Sequence, residues 1–249
     1  MNAMARKKNS TGSKRKFSLN PLVWLWRIFF WGFFALVLLQ LWYLAQIAVW
    51  THVNPSSTSF MQTRLAEIRK TEPGFQLKHE WVPYDKISLN LKRAVIAAED
   101  SGFMTHKGVE MEAIELALKR NARRGKVTHG GSTITQQLAK NLFLTSKRSY
   151  IRKGQELVIA LMIEAVWDKR RILEVYLNVV EWGNGVYGAQ AGAQHHYGVS
   201  AAQLSSYQAA RMAGMLPAPR YFDKRRNSPF LARKTGTLQK RMYQVTVPK

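Results

Sequence analysis

One run of this chain is built to grip a ligand more than to pack a core. In Gly130–Gly131–Ser132–Thr133–Ile134–Thr135–Gln136–Gln137–Leu138–Ala139–Lys140–Asn141, two glycines lead into hydroxyls, amides and a cation. Glycines ahead of a helix start leave backbone N–H groups open to an anion. About thirty residues earlier stands Glu99–Asp100–Ser101–Gly102–Phe103–Met104–Thr105–His106–Lys107–Gly108. Glu99 closes an apolar helical pattern. A carboxylate at the lip of a core helix loses part of its water, and its pKa rises towards that of a general base. Read alone, His106 is a structural hydrogen-bonding residue and Phe103 a core plug.

Arg148, Arg152 and Glu156 recur at i, i+4 and i+8, on one broad helical face. An exposed ion-pair ladder is the plain account, worth a few tenths of a kcal/mol. The order Arg before Glu is the weaker one for helix support, which favours a site face offering two guanidinium groups and a carboxylate. Guanidinium forks suit phosphate. Lys140 and Asn141 join from the preceding helix. The phosphate-loop spacing G-x-x-x-x-G-K-[ST] is absent. His106, His129, His195 and His196 form no zinc pattern. A divalent ion, magnesium or manganese, held by Glu99 or Asp100 with phosphate oxygens stays open as an addition; no essential cofactor is expected.

These residues need elements to hold them. Ser88 reads as the N-cap of a helix through Leu91, Val95 and Ala98 to Glu99. Met111, Ile114 and Leu118 mark another, stopped by Arg123–Arg124–Gly125. Ser132 is expected to cap a helix to about Phe143. Further helices are expected from Ser149 to Trp167, from Lys169 to about Val180, over 201–214 behind a Ser200/Gln203 capping box, and from Ser228–Pro229 onward. No run alternates as strands do. The expected fold class is all-α.

The formal net charge is +23, from 38 Lys and Arg against 15 Asp and Glu. Residues 1–50 hold seven of the cations and no acid, so residues 51–249 carry +16. Such an excess calls for an anionic counterpart. There is no cysteine, which excludes disulfides and thiolate metal sites. From Ile28 to Trp50 no residue is charged. As a helix that run spans roughly 34 Å, enough for a hydrocarbon core of about 30 Å. Trp24, Trp26, Trp42, Tyr43 and Trp50 suit the interfaces, and the basic stretch Arg6–Lys16 places the N-terminus in the cytoplasm. The expected division is a basic tail (1–27), a transmembrane helix (28–50), a juxtamembrane connector (51–80) and an outer domain (81–249). An outer location argues against nucleic acid as the partner.

Five stretches in order resemble the signatures of the family 51 glycosyltransferases, the peptidoglycan glycosyltransferases. They are Glu99–Asp100–x–x–Phe103–x–x–His106–x–Gly108, the Gly130–Asn141 run, Arg152–Lys153–x–x–Glu156, Lys169–x–x–Ile172–Leu173–Glu174–x–Tyr176–Leu177–Asn178, and Ala213–Gly214–Met215–Leu216–Pro217–Ala218–Pro219. The resemblance implies a lysozyme-like helical domain that polymerises lipid II at the outer face of the bacterial inner membrane. It implies Glu99 and Glu156 as catalytic carboxylates, with Glu99 the base and Glu156 orienting the cations. It implies Asp100, Phe103, His106, Ser132, Thr133, Gln136, Gln137, Lys140, Asn141, Arg148 and Arg152 as substrate-binding. The chain ends soon after the last signature, which resembles members without a transpeptidase domain. Lipid II, nascent peptidoglycan, the membrane and cell-wall synthesis or division proteins are the implied partners, and moenomycin the implied inhibitor. Two rivals stand beside this reading: a lytic enzyme of the lysozyme type, and a membrane-anchored adaptor without activity.

Overall fold

The structure, a computed structural model, describes residues 21–110, 115, 131–147 and 149–249. The basic tail, the expected helix of Met111, Ile114 and Leu118, and the positions of His129, Gly130 and Arg148 lie outside them. The chain divides into two compact units, Met1–Trp42 and Tyr43–Lys249.

In the first unit the described chain is one helix, α1 (Pro21–Val49), whose last turns belong to the second unit. Its most apolar 18-residue window has a mean hydropathy of 2.1 and no buried residue. Over that window the helix is apolar on all faces and packs against nothing described, and it has the length and composition of a membrane span. The described helix already includes residues 21–27, Arg27 among them, ahead of the expected Ile28.

The second unit is mostly helical. Its first residues already pack in it: Ile47 is fully buried, and the Trp167 indole N–H donates to the Ile47 carbonyl at 2.8 Å. The stretch 51–80, expected as a connector, is part of this unit. It holds α2 (Ser59–Arg69), capped by the Thr58 hydroxyl and burying Met61 and Ile68, and a two-residue strand β1 (Lys78–His79).

α3 (Leu89–Glu99) starts where Ser88 accepts from the Leu91 N–H, as its pattern predicts. α4 (Ile134–Phe143) starts one residue later than expected, because Thr133 and not Ser132 is the N-cap. α5 (Tyr150–Val166) and α6 (Lys169–Val179) follow, capped by Ser149 and Asp168. Strands β2 (Glu181–Gly183) and β3 (Val186–Tyr187) complete a sheet ordered β1-β3-β2, with β1 parallel and β2 antiparallel to β3. Strands of two or three residues are too short to alternate visibly, so the sequence shows no sign of them.

Two further elements differ from expectation. Helix α7 (Ala189–Tyr197) precedes a single 3₁₀ turn, Ala201–Gln203, which is all that the Ser200/Gln203 box caps. Ser205 then takes an extended backbone and, with Gln208, forms the box that starts α8 (Ser206–Met215). Short α9 (Pro219–Lys224) and α10 (Pro229–Arg241) end the described fold.

The core forms around α4, which packs on α2, α5 and α6, while α3 packs on α8 and α10. Ile134 and Leu138 of α4, Ile159 and Ile163 of α5, and Leu173 and Tyr176 of α6 are fully buried. Polar clamps reinforce the joints. Glu164 of α5 accepts from the Thr135 hydroxyl of α4 and from Lys169 of α6 at 2.8 Å. The buried Asn178 side chain exchanges two hydrogen bonds with the Val82 backbone, both 2.9 Å. These clamps fix α4 and the end of α3, from which the site projects.

Candidate active site

The end of α3 divides two adjacent acids. Asp100, 5% exposed, turns inward. Its carboxylate accepts from the backbone N–H of Ile134 at 2.9 Å and from His106 Nε2 at 2.8 Å. The Gly108 N–H donates to His106 Nδ1 at 3.1 Å, so the ring proton sits on Nε2. The Thr133 hydroxyl donates to the Gly108 carbonyl at 2.6 Å. Thr133 and Gln136 also bond each other's backbone N–H groups, a closed capping box. Gly108 has φ of +84°, and a Cβ there would lie 2.9 Å from Glu164 Cγ, so both its conformation and its space favour glycine.

This knot gives several of the residues implied as substrate-binding a structural part. Asp100, His106, Thr133 and Gln136 spend their polar atoms on one another, and Phe103 is fully buried. These contacts let the five residues position the loop and α4, and His106 also lines a pocket with Thr105, Lys107 and Lys169. At the start of α4 the Ile134 N–H is taken by the Asp100 carboxylate, and Gly130 of the expected anion cradle lies outside the described residues.

Glu99 points the other way. Among the described residues one hydrogen bond holds it: Gln137 Nε2 donates to Glu99 Oε2 at 2.8 Å. Behind Gln137 stands Tyr176, whose hydroxyl donates to Gln137 Oε1 at 3.0 Å. Burial pushes the Glu99 carboxyl above its ordinary value of 4.5, and the neighbouring Asp100 charge adds to this. The Gln137 N–H and the ammoniums of Lys234 and Lys140 oppose it. Burial holds the Lys140 and Lys234 ammoniums below their ordinary range, while Glu99 pulls both back up.

Lys140 also feels the third motif, on α5. Glu156, 3% exposed, takes Arg152 Nη1 on one oxygen at 2.8 Å and Lys153 Nζ on the other at 2.5 Å. Lys153 Nζ also donates to the Ser132 hydroxyl at 3.0 Å. With a cation on each oxygen, Glu156 is placed to hold Arg152 and Lys153 in position. Arg152 keeps one buried N–H, at Nε, without a partner among the described residues. Asn141 is buried on α4 beside this group. The arrangement is a carboxylate poised to accept a proton, next to a bank of cations suited to a phosphate.

Sequence reasoning had assigned no role to three of these groups. Lys153 was legible, three residues from Glu156 inside a quoted motif. Tyr176 read as a core position of α6. Lys234 comes from α10, outside every motif, and no local signal marks it.

Among the described residues, His106 stands apart, while His195 and His196 lie side by side next to Asp223. His106 bonds Asp100, His195 bonds Asp223 at 2.8 Å, and His196 bonds the Trp182 carbonyl at 2.8 Å.

The pattern of the family described as Transglycosylase matches residues 64–243. The chain belongs to the transglycosylase family. Proteins named biosynthetic peptidoglycan transglycosylase resemble it along most of their length. That of Herminiimonas arsenicoxydans is 57% identical over 212 residues, covering 85% of this chain and 92% of the relative. That of Janthinobacterium sp. (strain Marseille) is 56% identical over the same shares. That of Paraburkholderia xenovorans is 49% identical over 238 residues, 96% of this chain and 99% of the relative. This transglycosylase is therefore a glycosyltransferase with one apolar N-terminal helix of the kind that anchors a single-pass membrane protein.

Proposed function

We propose that this transglycosylase builds glycan strands from lipid II, with Glu99 as general base. The donor is a growing glycan on undecaprenyl pyrophosphate. The acceptor is lipid II, whose N-acetylglucosamine 4-hydroxyl attacks C1 of the donor N-acetylmuramic acid. The new C1–O bond forms as the C1–O bond to the pyrophosphate breaks, and the centre inverts. The hydroxyl proton passes to Glu99, and undecaprenyl pyrophosphate departs with the electron pair of the broken bond. Lys140, Arg152 and Lys153 neutralise the charge that develops on it, and Arg148 is assigned with them from its spacing. Glu156 orients Arg152 and Lys153. Gln137 keeps an N–H on the base.

The observation that carries this reading is the state of Glu99: desolvated, held by a single amide, and faced by two lysines. A desolvated carboxylate near two ammoniums suits a base, and those ammoniums repel a divalent cation. Where such an ion takes part, pyrophosphate oxygens of the substrate are its natural ligands. A lipid-borne substrate also accounts for an enzyme anchored by α1. The basic residues before α1 favour a cytoplasmic N-terminus, with the catalytic unit in the periplasm at the inner membrane. Other cell-wall synthesis or division proteins are the natural partners there.

The test is polymerisation of purified lipid II by the full-length enzyme and its Glu99→Gln variant, with moenomycin as inhibitor. Loss of polymer at unchanged melting temperature is expected; near-normal turnover by the variant would remove Glu99 as the base. Incubation with finished sacculi separates synthesis from the lytic rival, which predicts soluble fragments.

A further inference from the structure

We propose that Tyr176 is a positioning residue for Glu99, acting through Gln137: its buried hydroxyl fixes which end of the Gln137 amide faces the carboxylate. The proposal rests on the reading of Glu99 as base and deepens it. The three groups come from three helices. Tyr176 lies on α6, fully buried among the core side chains, and donates to Gln137 Oε1 at 3.0 Å. Gln137, on α4, then donates Nε2 to Glu99 at the end of α3 at 2.8 Å.

An amide side chain is nearly symmetric in shape, so its neighbours decide its orientation. With the carbonyl towards Tyr176, both hydrogen bonds are made and an N–H meets the carboxylate. Turned over, the amide sets its carbonyl against Glu99, two acceptors face each other, and only a protonated Glu99 relieves the conflict. The tyrosine proton therefore favours the ionised form of the base from two bonds away. The other charged groups facing Glu99 are Lys140 of α4, Lys234 of α10 and the adjoining Asp100. None of these bonds the Gln137 amide among the described residues, so they leave its orientation to Tyr176. Burial and the two carboxylates hold the Tyr176 hydroxyl protonated well beyond its usual range, so it remains a donor wherever the enzyme works.

The test uses full-length enzyme in detergent micelles, labelled with ¹³C-carboxyl glutamate, with Glu99→Gln identifying the Glu99 resonance. In Tyr176→Phe the Glu99 titration midpoint is expected to rise by roughly half to one pH unit, and the acid limb of kcat to move with it. KM for lipid II stays put. A residue with only a packing role would lower the melting temperature and leave both midpoints in place, and that result would overturn the proposal. Gln137→Met is expected to shift the midpoint at least as far, and adding Tyr176→Phe to it should shift it no further. Additive shifts would show Tyr176 acting by another route. Should the phenylalanine variant not fold, 3-fluorotyrosine at position 176 keeps the ring and strengthens the donor. It should move the midpoint downward, and an unmoved midpoint counts against the proposal. Normal polymerisation by Glu99→Gln would instead sink the base assignment while leaving the carboxyl titration to judge the relay.

Discussion

Glu99 and Asp100 are neighbours in sequence and opposites in setting. Around Asp100 every polar atom has a partner: His106, the Ile134 N–H, and beyond them the Gly108 and Thr133 contacts. Around Glu99 a single amide bonds the carboxylate among the described residues, and Lys140, Lys234 and Asp100 act on it by charge alone. The first region is paired internally, and the second is left with a single hydrogen bond among the described residues. A buried charge left half-paired is costly, and it persists only where the surroundings are over-determined. The knot around Asp100 supplies that rigidity one residue away.

The contrast can be broken from either side. Glu99→Gln should lower lipid II turnover by about 10²–10⁴-fold with the fold intact, as removal of a general base does; circular dichroism and a polymerisation assay check this. Asp100→Ala should do the reverse. It strands the His106 N–H and the Ile134 N–H in the interior, costing about 2–4 kcal/mol of stability, read from urea melts. If Asp100→Ala melted normally and only lost activity, the division between the two acids would be wrong.

A smaller effect sharpens the comparison through pH. The folded-state pKa of Glu99 lies above its ordinary 4.5, because burial disfavours the charge. Stability from the neutral form is therefore complete below 4.5 and lost as pH rises through the folded value. Glu99→Gln should accordingly match or exceed the parent in melting temperature at neutral pH. That advantage should shrink on acidification to pH 4, as differential scanning fluorimetry across pH will show. A variant less stable than the parent at pH 7 would contradict the desolvated carboxylate. At the low end, Thr133→Ala removes the cap of α4 and should cost about 1 kcal/mol in chemical denaturation. Its turnover should fall only as far as α4 is loosened.

Much of this molecule was legible beforehand. Ser88 and Ser149 stand where helix starts were expected, and α3, α5 and α6 run as their apolar periodicity requires. The uncharged run after Arg27 could hardly be read otherwise than as a span. The difficulties were of two kinds. Capping signals compete locally, so Ser132 lost to Thr133, and the Ser200 box closed a single turn before Ser205 began the real helix. Polar residues in a motif all resemble ligand-binding groups, yet Asp100, His106, Thr133 and Gln136 turned out to satisfy one another.

By itself the sequence determined which residue types are present, how they are spaced along each helix, and that a basic chain carries an apolar anchor. Those properties depend on neighbours a few positions away, within the reach of one or two helical turns. Which carboxylate is finished and which is left exposed to chemistry was decided only by tertiary structure. So were the arrival of Lys234 from α10, the placing of Tyr176 behind Gln137, and the double pairing of Glu156. Each depends on desolvation and on hydrogen bonds between separate elements, and these are set when helices far apart in the chain close on one another.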